Sequence, residues 1–135
     1  MKIKTLVAVL LLSGGVTSTF AQSDCNANSS ISHEAVRAKN FKDAYAPCMA
    51  VLKDCPTLRY YTYTDAQKIL TGLMSQIKDR NSAEYKKLFD ELMAVHDQKM
   101  KYIPEFASKM KGVPSVASAL GTKAVDYLQY APAPD

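Results

Sequence analysis

Apolar residues along this chain recur mainly at helical spacing. The clearest case is Phe41, Ala44, Tyr45, Cys48, Val51 and Leu52, which fall on one face of a helix that Pro56 closes. Upstream, a helix is expected from Ser29 or Ser32, with Ser32 as its cap, running to a break at Lys39-Asn40. Downstream, Leu58, Tyr61, Ala66, Ile69, Leu70, Leu73 and Ile77 keep the period, predicting a third helix capped by Thr57 and ending near Lys78. Within it, Tyr60 to Thr64 alternates as a strand would, but a lone strand in a helical chain has nothing to pair with. A fourth helix follows the turn 79–82, where Asn81 and Glu84 have capping-box spacing. Its stripe is Tyr85, Leu88, Phe89, Leu92, Val95, Met100 and Ile103, and Pro104 is expected to limit it. A short helical piece then runs to Lys111 and stops at Gly112. A last helix from Pro114 to about Tyr130 is expected to bury Ala117, Leu120, Ala124, Tyr127 and Leu128, before a disordered tail at 131–135.

The first 21 residues have a different character. Lys2 and Lys4 precede an apolar run from Leu6 to Leu12, and small or polar residues lead to Thr19-Phe20-Ala21. That is the layout of a secretory signal peptide, with cleavage expected between Ala21 and Gln22. The run, broken by Gly14-Gly15, is shorter than the roughly 20 residues of a spanning helix. Cys25 follows Gln22-Ser23-Asp24, which is not a lipoprotein processing site. The expected product is therefore periplasmic or secreted, with no stable membrane insertion, and residues 22–130 form one helical domain. Without Lys2 and Lys4 the formal charge drops from +4 to +2. So weak and scattered a charge gives no reason to propose a nucleic-acid partner.

With the helices placed, Lys39 to Pro56 resembles the second half of a tetratricopeptide repeat. Phe41 stands where the aromatic residue starts the second helix, Ala44 where helices cross closely, and Pro56 where the unit ends. The first helix follows the pattern loosely: Ser32 replaces a small glycine or alanine, Ala35 replaces an aromatic residue, and the chain has no Trp. The signal peptide, the early cysteine and the Lys53-Asp54-Cys55-Pro56 ending also resemble secreted bacterial proteins of this type. The resemblance implies an all-α fold of antiparallel helix hairpins, a right-handed stack of about five helices that binds a protein or peptide partner. Proteins of that type are commonly longer, which leaves open a short member or the front of a longer one.

In an exported chain Cys25, Cys48 and Cys55 meet an oxidising compartment, and one must stay unpaired. The entry to helix one and the exit of helix two are neighbours in a hairpin, so Cys25–Cys55 is the expected bridge, with Cys48 buried on the apolar face. The cysteine spacing suits neither a redox pair nor zinc, and no metal or other cofactor is expected. His33 and His96 read as surface or boundary residues. No phosphate loop, serine elbow or carboxylate dyad is present, so no enzyme is expected. Tyr60, Tyr61 and Tyr63 cannot all face one core, which makes them candidate partner contacts. The functional expectation is an exported, non-catalytic interaction module. The alternative is a small periplasmic helical bundle that binds an apolar ligand beside Met93 and Met100 or acts in envelope stress.

Overall fold

A computed structural model describes residues 24–134, and the expected signal segment with its Ala21/Gln22 cleavage point lies outside them. The described residues are all-helical and contain no strand: α1 (24–37), α2 (Phe41–Asp54), α3 (Tyr61–Met74), α4 (Ala83–Lys109) and α5 (Val116–Tyr130). Neighbours along the chain pack together, α2 on α3, α3 on α4 and α4 on α5. Polar bonds also join every second helix. His33 of α1 reaches Asp65 of α3, Tyr45 of α2 reaches Glu91 of α4, and Gln67 of α3 reaches Asp126 of α5.

The turn between α1 and α2 shows why so short a link suffices. Lys39 takes the left-handed conformation with φ 58°. The Lys39 amide then bonds to the Val36 carbonyl and the Asn40 amide to the Ala35 carbonyl, at 2.9 and 2.8 Å. Those two bonds are a Schellman ending. Asn40 immediately caps α2, its side chain accepting from the Asp43 amide. Along α2 the expected face is the buried one, with Ala44, Cys48, Val51 and Leu52 inside. Ala44, Cys48 and Leu52 join Ile69, Leu70 and Leu92, the last three fully buried, and the two buried rings of Tyr63 and Tyr85 in a single core. Each such aliphatic side chain stabilises the fold by about 1.5 to 3 kcal/mol. Phe41 opens α2 and lies over Gly72 of α3, where any β-carbon would strike its ring. Pro56 follows the Cys55 cap.

Several sequence expectations are corrected. The first helix already includes residue 24, so Ser32 is no cap and Cys25 lies within α1 rather than ahead of it. Ser29 and Ser32 are buried instead, because their small side chains fit inside and find partners in Tyr61 and the Ser29 carbonyl. α3 begins at Tyr61 and ends at Met74, shorter at both ends than expected. The cap of α4 is Ser82, one residue past Asn81, and it accepts from the Tyr85 amide. α4 also continues through Pro104 to Lys109. Proline removes one helical bond there, but only a continued helix brings Phe106 against the rings of Tyr60 and Tyr63, at 5.5 and 6.0 Å.

The largest correction is α5. Of its expected core face, Leu120, Tyr127 and Leu128 are 55%, 54% and 82% exposed, and Ala117 and Ala124 are exposed as well. The residues turned inward are Ala119 and Asp126. The reason lies on the helices it meets, which offer polar groups to Asp126 as described below. At the end of α5 the Tyr85 hydroxyl donates to the Tyr130 carbonyl at 2.6 Å, and beyond it Ala131 packs against the core.

Candidate functional site

Cys25 and Cys55 form the disulfide, their Cα atoms 6.3 Å apart across a separation of 30 residues. It ties the start of α1 to the end of α2. Cys48 is unpaired and buried, and burial, with Asp65 nearby, pushes its thiol up to about 12. A thiol held protonated in the core is chemically inert.

The three tyrosines divide. Tyr63 is buried, donating its hydroxyl to the Pro56 carbonyl at 2.7 Å and accepting from Gln98 at 3.1 Å, and burial pushes it up to about 12. Tyr61 is half-buried and stacks on His33 at 4.3 Å. Tyr60, also half-buried, leans edge-on against Phe106. Tyr60 and Tyr61 thus reach the surface and Tyr63 does not.

His96 departs from its expected boundary position, since it is only 1% exposed. Its Nε2 lies 2.7 Å from Asp126 Oδ2, which also accepts from Gln67 at 2.8 Å. Burial is the main influence and holds the imidazole below its ordinary value, so the neutral ring donates through Nε2. Its Nδ1 is then a buried acceptor with no partner. Lys99, buried beside the same carboxylate, is lowered by desolvation. The partner of His96 lies 30 residues away, so no local signal in the sequence could have found this cluster. Sealed from solvent, it orients α5 and has no access to a substrate.

Two of the open surfaces bear on partner binding. A groove of about 520 Å³ runs between α1 and α3, with Val36, Phe41 and Gly72 among its lining and Arg37, Lys39 and Lys68 beside them. The second is the outer side of α5, where Leu120, Ala124, Tyr127 and Leu128 surround a shallower hollow. Both charged residues of that helix turn toward the domain: Lys123 donates to Asp97 at 2.6 Å and Asp126 meets His96 and Gln67. Among the described residues no group of His, Cys, Asp and Glu could hold a metal ion, and no helix is long and apolar enough to cross a membrane. No family model matches the chain, and no curated protein or solved structure matches it at a significant level.

Proposed function

We propose that this protein is an exported, non-catalytic interaction module of the tetratricopeptide type, and that α5 is its principal contact with a protein partner. The observation that carries the reading is the outer side of α5, where Leu120 and Leu128 are exposed beside Ala124, with the half-exposed Tyr127 leaning on Phe89 at its edge. Apolar side chains so closely grouped mark interaction surfaces. Because Lys123 and Asp126 are engaged within the domain, the partner that fits is a helix presenting its own apolar stripe, without compensating charge. Support for the repeat assignment comes from Phe41, Ala44 and Pro56 at the start, the buried crossing and the end of α2, and from polar links between every second helix. Export is supported by the leader pattern of residues 1–21 together with the Cys25–Cys55 bridge.

The test is a photo-crosslinking amino acid at Leu128, with the exposed Lys86 on α4 as control. Leu128 should give discrete protein adducts that map to an apolar helical segment of the partner. Leu120→Glu should cut them at least tenfold without altering the melt. Lipid adducts alone, or equal labelling from Lys86, would contradict the proposal. Mass spectrometry of the exported product should find Gln22 as its first residue, and an intact Met1 would refute the export reading.

A further inference from the structure

The connection from α2 to α3 and the C-terminal end of α4 border an open cavity of about 390 Å³. Leu58, Tyr60 and Tyr61 line one side, and Phe106 and Met110 the other. The aromatic walls are held by their own contacts. Tyr61 is stacked on His33 and its hydroxyl is 3.3 Å from Ser29 Oγ, while Tyr60 is braced by Phe106. A pocket whose aromatic walls are already fixed loses little freedom when it is filled.

Two cations, Arg59 and Lys109, reach this cavity and no carboxylate lines it. Arg59 lies 5.8 Å from the centre of the Tyr61 ring. Among the described residues it makes no salt bridge, and its Nη1 is buried without a hydrogen-bond partner. With no ion pair of its own, the guanidinium keeps its charge available for a carboxylate or phosphate oxygen at the part of the group that stays exposed. Lys109 is engaged by Glu105 at 3.2 Å, so the positive charge left over is close to that of Arg59 alone. That balance suits a monoanion. A phosphate dianion would remain half-neutralised against apolar walls.

We propose that this cavity binds an organic carboxylate carried on an apolar or aromatic body, with the acid on Arg59 and the body against Tyr60, Phe106 and Met110. Its volume lies at the small end of the range for ligand sites, about 300 to 1,000 Å³, which limits the occupant to roughly the size of one aromatic amino acid. The exposed Met110 thioether is adaptable and closes over a ring without needing a fixed shape. A free acid and the C-terminal residue of a peptide present the same chemistry. The site goes beyond the role of α5 and does not depend on it.

The experiment is a titration of the purified protein followed by NMR at the Met110 methyl, assigned through Met110→Leu. Probes are 3-phenylpropionate, its neutral amide, and a tripeptide ending in phenylalanine as free acid or amide. The acid should shift the Met110 signal saturably, and the amide should bind at least tenfold more weakly. Arg59→Gln should weaken the acid at least tenfold, while Arg37→Gln, in the α1/α3 groove, should leave it unchanged. A free-acid tripeptide binding tenfold tighter than phenylpropionate assigns the site to peptide ends, and equal or weaker binding assigns it to free acids. Acid and amide binding alike to the wild type, or shifts that leave Met110 unmoved, would overturn the proposal without relying on any variant's folding.

Discussion

Helices α2 and α5 carry similar apolar patterns and use them in opposite ways. On α2 the periodic face is buried at Ala44, Cys48, Val51 and Leu52 and half-buried at Phe41 and Tyr45, and on α5 it looks outward. The difference comes from what each helix meets. α2 packs on α3 against an apolar core, whereas α5 meets Gln67, His96 and Lys99, which together draw in Asp126. A hydrophobic period therefore identifies a face that will be covered, and only the neighbouring helix decides which side it receives.

The comparison can be broken most severely at the bridge that fastens the α2 side. Cys25→Ser opens a loop whose ends are 30 residues apart and should lower stability by about 3 to 4 kcal/mol on the chain-entropy model. Denaturant unfolding under oxidising conditions measures it, and a loss below about 1 kcal/mol would mean that the hairpin holds itself together without the bridge. Next in size is Ala44→Leu, which overpacks a fully buried position and should cost about 1 to 3 kcal/mol. Ala94→Leu, on the exposed side of α4, should be nearly silent in the same melts.

A smaller gain is expected at the left-handed Lys39. Replacing it with glycine removes the steric cost of that conformation and should stabilise by about 0.5 to 1 kcal/mol after the added freedom of the unfolded chain is counted. The mildest effect concerns the α5 side. Burial holds His96 below its ordinary 6.5, so as pH falls past 6.5 the unfolded chain takes up a proton that the folded chain refuses. Stability from this residue is complete above 6.5 and is lost as pH falls toward the folded value. Melting temperatures at pH 7.5 and 5.5 should accordingly differ more in the wild type than in His96→Gln.

What the sequence made legible follows the same division. Helical class, the Lys39-Asn40 break, the buried face of α2 and the cysteine pairing were readable because each rests on local period, punctuation or hairpin geometry. Pro104 misled because its local penalty is outweighed by Phe106 packing on α3, a contact more than forty residues distant in the chain. Ser32 read as a cap, and Ser29 as a possible helix start, because their hydroxyls suit helix starts, while their small size suits burial equally well. The candidate site was half visible. Three clustered tyrosines pointed to surface aromatics, but neither the unpaired Arg59 beside them nor the outward turn of α5 has a signature in the local sequence.

Leu120 and Leu128 of α5 stand free of the domain's own core, and a double charge substitution measures this directly. Leu120→Glu combined with Leu128→Glu places two carboxylates on open surface. The variant should unfold within about 0.5 kcal/mol of the wild type, as exposed substitutions do, while losing the partner adducts formed at α5. A melt displaced by several kcal/mol, as two buried unpaired charges would cause, would return these residues to the core and contradict the account.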